Sequence, residues 1–457
     1  MTPRHGRETG RYEHLQGTEK ALAMGEFDFG TNQRALDYFN EVIARSKSTG
    51  PYPDIDVIIV IHAYRNAPPL VQSLAKIGNI RGIIVKNSTG TRHPEVAEYL
   101  KAQGFPILDW DKKIIKKGGQ AFIKEFEGIL RPDKPFIILD HGGYFAYESS
   151  RDLFDHFSPD RFLGVTEYTA NGHFRYERLG IADRPIISVG RSDIKIPADV
   201  AAAKLIVQAA FDHMMQANSY LYDEANTIGV IGYGRMGSIV AKSIANSGFR
   251  HLYVNEVNPL ASTRLEGLPY ADKEDLLSNC NIVFCATGNR ALDPAHYALL
   301  KDGTVLFTAT SPDDELDLEK LIAQNVIKLE RHHGDIYEYT VTATGNRIYL
   351  PFNGESANIV YPSGVTDPAI YLPQAAQLAA TVKLAQHQDQ YSPGVTDLEP
   401  RYENMVAKIG RDHFMRPVFS NHGPSNYSLA LPQPQRPRAL PANQHSEPEL
   451  RNALIAS

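Results

Sequence analysis

The feature that most constrains this chain is a glycine turn, Gly232-Tyr233-Gly234-Arg235-Met236-Gly237. It stands directly behind the apolar run Ile228-Gly229-Val230-Ile231 and ahead of a helical stretch from Ser238 to Ser247. A Gly-x-Gly-x-x-Gly string alone is a weak signal, but between a strand and a helix each glycine has a physical reason. The first permits the tight turn, the second lets the backbone approach a pyrophosphate, and the third lets helix and strand pack closely. The helix N-terminus then presents N–H donors to phosphate oxygens. The next strand ends in Glu256, 19 residues after Gly237, placed to accept hydrogen bonds from adenosine ribose hydroxyls. A carboxylate there repels a 2′-phosphate, so the expected cofactor is NAD rather than NADP. Gly232, Gly234, Arg235, Met236, Gly237 and Glu256 are assigned to it. Thr287, Gly288 and Asn289 join them, because they follow a later strand and stand where a Rossmann loop passes over the dinucleotide.

The rest of the chain is read around that domain. With about 150 residues per domain, a chain of 457 residues suggests two domains and tails. The first strong strand is Val57 to Ile61, a β-branched run of the kind a buried parallel strand shows. Helices at Pro69 to Ile77, His93 to Gln103 and Ala121 to Ile129 then alternate with strands at Gly82 to Lys86, Pro106 to Leu108 and Pro135 to Leu139. That rhythm predicts an α/β chain of two doubly wound parallel-sheet domains, the second an NAD-binding Rossmann domain. Ligands on such sheets sit at the carboxyl ends of the strands, which groups His62, Asn87, Asp140 and His141 around one crevice. A long helix from Ala198 to Met215 bridges the halves. The second sheet is expected to use Thr227 to Ile231, Leu252 to Asn255, Ile282 to Ala286 and Thr304 to Thr308, and the helix Pro373 to Gln388 to pack back on the first domain or on a partner subunit. The expected boundaries are an N-terminal extension over 1–50 with a helix within Phe27 to Ile43, a substrate domain over 51–200, the Rossmann domain over 201–346, a return segment over 347–390 and a disordered tail over 391–457. The tail turns to Pro, Gln, Asn and Ser, as in Leu431-Pro432-Gln433-Pro434-Gln435, too little apolar surface to offset ordering entropy.

Composition narrows the function classes. A net charge of -6 gives no basic footprint for nucleic acid. No apolar run reaches the roughly 18 residues a membrane helix needs, and the polar stretch Met1 to Lys20 is no secretory signal. Two cysteines, Cys280 and Cys285, exclude a disulfide framework and a cysteine-based zinc site. His332-His333 has no acidic partner at ligand spacing, so no metal is expected. The expectation is a cytoplasmic protein that takes a small-molecule substrate, with no membrane or nucleic-acid partner.

Several motifs in the same order resemble S-adenosylhomocysteine hydrolase over roughly residues 50 to 390. Gly232-Tyr233-Gly234-Arg235-Met236-Gly237 is similar to that family's Gly-Tyr-Gly-Asp-Val-Gly, and Thr287-Gly288-Asn289 matches its Thr-Gly-Asn. Leu300-Lys301-Asp302-Gly303 is similar to its Met-Lys-Asp-Asp. Ile138-Leu139-Asp140-His141-Gly142-Gly143 resembles Ile-Leu-Asp-Asp-Gly-Gly, and Gly164-Val165-Thr166-Glu167-Tyr168-Thr169 resembles Gly-Val-Ser-Glu-Glu-Thr. The resemblance implies a bound NAD that oxidises a ribose hydroxyl, which acidifies the neighbouring C–H and opens an elimination and water-addition sequence. Such chemistry needs a base for the hydroxyl, a proton carrier for the C–H and an acid for the leaving group. It places His62 at the family's Leu-His-Met histidine, and Lys195 and Asp199 at its lysine and aspartate four residues apart. Thr169 and Asn171 fall where the family meets the nicotinamide end. A tetramer built through the helix after the Rossmann domain is also implied, hence a homo-oligomer.

The departures concern the substrate. His141 replaces the second aspartate of Asp-Asp-Gly-Gly, a position from which it can carry a proton. Tyr168 replaces a glutamate, and Ser311 stands where the family has a histidine. Asn353-Gly354-Glu355-Ser356 occupies the place of a substrate-contacting Gly-His-Pro turn, and the family's C-terminal tail, which reaches a partner's NAD, is not matched. Glu167 and Asp140 read as structural acceptors. Three readings stay open: an NAD-dependent enzyme of altered specificity acting on a secondary alcohol of a nucleoside or sugar, a non-catalytic paralogue with NAD as structural or regulatory ligand, and an enzyme like the D-2-hydroxyacid dehydrogenases. The last needs an Arg, Glu and His set that the stretch Thr308 to Asp335 does not supply.

Overall fold

The run Asp-Val-Ile-Ile-Val-Ile at 56–61 has no polar side that water must reach, so it suits a strand covered on both faces. In the computed structural model, which describes residues 33–47, 51–217, 226–249, 251–361, 363–365, 368–387 and 391–415, it is buried throughout. Val57, Ile59 and Ile61 join one apolar core and Ile58 and Val60 another, as the two-residue period of a strand requires. This strand is β1 (Asp56–Ile61). It is followed by β2 (Asn79–Val85), β3 (Ile107–Leu108), β4 (Phe136–Asp140), β5 (Phe162–Glu167) and β6 (Pro185–Ser188). The second half supplies β7 (Thr227–Ile231), β8 (His251–Asn255), β9 (Ile282–Cys285), β10 (Thr304–Thr308), β11 (Ile327–His333), β12 (Ile336–Val341) and β13 (Arg347–Pro351), and a last short strand is β14 (Gly394–Asp397).

The first sheet runs β14-β6-β5-β4-β1-β2-β3 with every pair parallel. Its winding reverses between β1 and β4, so the segments leaving those two strands diverge and open a crevice there. The second runs β11-β12-β13-β10-β9-β7-β8. It is parallel from β8 to β13 and reverses between β7 and β9. The all-parallel expectation needs one correction here, because β11 and β12 pair antiparallel as a hairpin on the β13 edge. That hairpin is exposed along most of β11, so it carries little of the apolar signal that marks the buried strands.

Three expected boundaries also move. β13 keeps the chain in the second sheet to Pro351 rather than Asn346. The helix Tyr371–His387 packs on the first sheet, with Ala375, Ala376, Leu378, Ala379, Ala380, Val382 and Leu384 all buried within this chain. A helix covered by its own chain has no free face for a partner subunit, so the oligomer contact expected of it is not available there. The tail does not begin at Gln390 either. β14 and the helix Pro400–Phe414 complete the first domain, where Val406 and Ile409 join the core and Val406 O accepts from Tyr38 Oη at 3.1 Å. The helix expected within Phe27 to Ile43 is observed as Gln33–Ser46; residues before 33 and the Pro-Gln run at 431–435 lie outside the described residues.

Gln377, on the buried helix, fastens it beneath the crevice. Its Nε2 donates to the carbonyls of Asp140 and Thr166, each at 3.1 Å. Leucine there would take the amide donor from both carbonyls, although the Asp140 carbonyl keeps the Tyr168 N–H at 3.1 Å. Gln377→Leu is expected to lower the urea unfolding free energy by about 1–2 kcal/mol with little change in the slope.

Candidate active site

Each sheet ends in a turn gathered by one buried carboxylate. In the first domain, Glu167 at the end of β5 accepts from the backbone N–H groups of Gly142, Gly143 and Thr169 and from the Thr169 hydroxyl, at 2.6–3.1 Å. Burial, and then the neighbouring Asp140, push the Glu167 carboxyl up, while the donors from Gly142 and Thr169 oppose that shift. Asp140 accepts from the N–H groups of His141, Tyr144 and Phe145 and from the Tyr176 hydroxyl. Both acids therefore shape the loop after β4, the structural part expected of them.

That loop and the end of β1 bring His62 and His141 edge to face, ring centroids 4.9 Å apart. His141 stacks on Tyr168 at 4.5 Å, and His62 on Tyr64 at 5.4 Å. The Thr89 hydroxyl lies 3.4 Å from His62 Nδ1, accepts from the Ala63 N–H and donates to the Lys86 carbonyl. Burial first and the Lys86 ammonium second hold both imidazoles well below their ordinary range, so both are neutral at neutral pH.

Lys195 ends a short turn and Asp199 lies in the first helical turn of Ile196–Ala217, the helix that crosses to the second domain. Four-residue spacing puts them on one face, and Lys195 Nζ meets Asp199 Oδ1 at 2.9 Å. Lys195 Nζ also lies 5.7 Å from the Tyr168 ring centroid. The Tyr168 hydroxyl is buried without a hydrogen-bond partner among the described residues.

The glycine turn opens the helix Arg235–Asn246, capped by Gly234. Gly232 has φ +96°, and a Cβ on Gly237 would stand 1.9 Å from the Gly232 carbonyl oxygen, so neither admits a side chain. A Cβ on Gly234 would meet nothing within 4 Å, which leaves the backbone open to a ligand. Glu256 accepts from the Tyr233 N–H at 2.6 Å and from the Asn258 N–H at 2.7 Å, holding its carboxylate against the turn. Beyond β9, a second buried carboxylate repeats the arrangement of the first. Glu315 accepts from the N–H groups of Thr287 and Gly288 and from the hydroxyls of Thr287 and Thr310. An open turn at a helix N-terminus, a carboxylate beside it and a pinned neighbouring loop fit a dinucleotide.

One cavity of about 930 Å³ joins the halves. His62, His141, Lys195, Asp199, Thr169, Asn171, Arg235 and Met236 all line it. Gly232, Gly234, Gly237, Glu256, Thr287, Gly288 and Asn289 stand at the strand ends of the second sheet outside its wall. Arg235 donates to the carbonyls of Ser192 and Arg191 and reaches Asp199 Oδ2 at 3.4 Å, which ties the glycine turn to the Lys195–Asp199 pair. Asn171 donates to Asp314 across the cleft. Ser311, where the resembled family carries a histidine, caps the turn Pro312–Glu315 and donates to Asp314 at 2.8 Å, so its hydroxyl is already engaged. The cleft is also bridged by ion pairs, Lys112–Asp313 at 2.5 Å, Lys113–Glu319 at 2.7 Å, Arg92–Asp335 at 2.6 Å and Arg175–Asp314.

Sequence reasoning did not single out Lys86, Lys112, Glu315 or Glu355 as site residues. Lys86 and Lys112 belong to no motif, though Lys86 directly follows β2. Glu315 lies in Asp313–Asp317, which echoes a family stretch Asp-x-Glu-Ile-Asp, and Glu355 sits in the stretch standing for a substrate-contacting turn. Among the described residues no group of three His, Cys, Asp or Glu side chains is placed to hold a metal, and no helix is long and apolar enough to cross a membrane.

Residues 206–363 match the family described as S-adenosyl-L-homocysteine hydrolase, NAD binding domain. The cofactor is accordingly NAD. The chain is 24% identical to an adenosylhomocysteinase of Saccharolobus solfataricus over 82% of this chain and 88% of the relative. It is 26% identical to an S-inosyl-L-homocysteine hydrolase of Methanopyrus kandleri over 80% and 84%, respectively. The apo D-lactate dehydrogenase of Escherichia coli is matched at 14% identity and a TM-score of 0.30, over 59% of this chain and 79% of that one; the fold assignment rests on the sheet topology instead.

The exposed Gly234 and the buried Gly237 separate folding from binding. Gly234→Ala is expected to leave stability within about 0.5 kcal/mol of the parent. It should weaken NAD binding about tenfold or more, because the new methyl occupies the ligand's approach. Gly237→Ala should lower both thermal stability and NAD affinity; calorimetric titration beside a melting curve reads the difference.

Proposed function

We propose that this chain is a divergent member of the adenosylhomocysteinase family and an NAD-dependent enzyme oxidising a secondary alcohol of a nucleoside- or sugar-like substrate. The observation that carries the reading is the Lys195–Asp199 pair, set in the wall of the cavity that also holds His62 and the turn residue Met236. Bound NAD supplies a hydride acceptor. Lys195 acts as a base only as the neutral amine, so its own proton must first leave to solvent, favoured by the positive charge of bound NAD. Its Nζ then takes the hydroxyl proton, and Asp199, braced by Arg235, keeps the amine aimed. His62, held neutral, offers one ring nitrogen to accept a second proton within the same cavity.

The specificity of this site differs from that of the resembled enzymes. His141 and Tyr168 put two stacked rings where the family motifs carry carboxylates, so the crevice offers ring faces and one unpartnered hydroxyl in place of two negative charges. The engaged Ser311 favours a second reading, a non-catalytic paralogue in which NAD is a structural or regulatory ligand.

One experiment separates the two. The purified protein is tested for retained NAD and offered a panel of nucleosides and sugars while reduced-nicotinamide absorbance is followed. The enzyme reading expects a signal that falls about a hundredfold or more in Lys195→Ala, the usual worth of a general base. Retained NAD that no alcohol reduces sinks it in favour of the paralogue.

A further inference from the structure

The cations in the cavity wall are not equally provided for. Lys195 and Arg235 share Asp199, Lys112 meets Asp313, and Arg175 meets Asp314. Lys116 has no carboxylate, but it is exposed to water. Lys86 is the exception: it is half-buried and forms no ion pair. It leaves the end of β2 between the two domains, and no carboxylate among the described residues lies within ion-pair distance of its amine. Its one hydrogen bond goes to the His141 carbonyl at 3.1 Å, leaving two N–H donors. Its other neighbours are the Tyr144 ring, 5.1 Å from Nζ, and Lys112, whose amine lies 6.0 Å from the same ring. Burial first and Lys112 second pull the Lys86 amine down to about 8, against the more distant Asp314, Glu167 and Glu355, which raise it. Glu355 also lines the cavity; it forms no ion pair with Lys86, and burial pushes its carboxyl up to about 7 against the pull of Lys86.

Withdrawing an ammonium even partly from water without an ion pair carries a cost. One carbonyl and one ring face compensate only part of that cost. The residues that might have balanced it are absent, because His141 and Tyr168 stand where the resembled motifs write carboxylates, and both imidazoles beside Lys86 are neutral. We propose that the substrate carries an anionic group, a phosphate or a carboxylate, that pairs with Lys86 inside the cleft. This rests on the functional reading above and deepens it, since it names the charge class of the alcohol. The anion meets the two free donors of Lys86 next to His141, so it also sets where the reacting hydroxyl lies relative to Lys195.

The test uses binding to the NAD-saturated protein, which keeps anions out of the dinucleotide site. Calorimetric titration compares adenosine 5′-monophosphate with adenosine and ribose 5-phosphate with ribose for the phosphate arm, and glucuronate with glucose for the carboxylate arm. At least one anionic member is expected to bind about tenfold or more tightly than its neutral counterpart, the usual worth of a charged hydrogen bond. That preference should vanish in Lys86→Met and survive in part in Lys86→Arg, with NAD affinity unchanged in both. Lys86→Gln, which keeps a donor for the His141 carbonyl, serves if Lys86→Met does not fold. Equal binding of charged and neutral members in every pair overturns the proposal, as does a preference that survives loss of the amine. The two readings fail separately. Lys86-dependent anion binding without nicotinamide reduction removes only the enzyme reading, and reduction by neutral alcohols with no anion preference removes only this one.

Discussion

The structure depends most on a buried carboxylate collecting backbone N–H groups. Glu167 does this in the first domain and Glu315 in the second, each at a strand-end turn that contains glycine and each taking a threonine hydroxyl as well. Neither has a cation as its main partner. A carboxylate accepting several donors in a low-dielectric site orders a loop strongly, because every donor it loses becomes an unmet buried group. The positions of His141, Thr169 and the Thr287-Gly288 turn all follow from these two anchors. Packing alone would hold such glycine-rich segments poorly.

The cleft between the domains is organised by charge in a second way. Lys112, Lys113, Arg92 and Arg175 come from the first domain, and Asp313, Asp314, Glu319 and Asp335 from the second. Several of these pairs are half-exposed, and each is worth little alone. Together they set the two strand-end surfaces against each other around one cavity. Inside it the polar groups differ in kind: a lysine paired with an aspartate, two neutral imidazoles, and a lysine that forms no ion pair. Groups whose surroundings push their protonation apart are the usual basis for dividing acid, base and binding tasks within one site.

Legibility followed apolar periodicity. β1, β4 and β7 were readable because a strand buried on both faces must be apolar at every position, and the glycine turn because its backbone admits no side chain at Gly232 or Gly237. The hairpin β11–β12 was missed since Ile327–His333 is exposed beyond its first residue and alternates with nothing. β14 was missed because four residues carry no pattern, and the helix Pro400–Phe414 because it follows a stretch that reads as tail. The contacts of Arg235 were illegible for another reason. Its spacing in the motif points to the cofactor, and its long side chain also reaches the Ser192 and Arg191 carbonyls and Asp199, which no local pattern announces.

The amino-acid sequence by itself determined the α/β architecture, the dinucleotide turn and the residue types available at the strand ends. These depend on local periodicity and on backbone conformations that only certain residues allow. Tertiary structure decided the use of those residues. It made Ser311 a cap, it made Asp140 and Glu167 loop anchors, and it set Lys86 between domains without a counter-ion. Such roles depend on partners tens or hundreds of residues away, and long-range proximity leaves no trace in spacing.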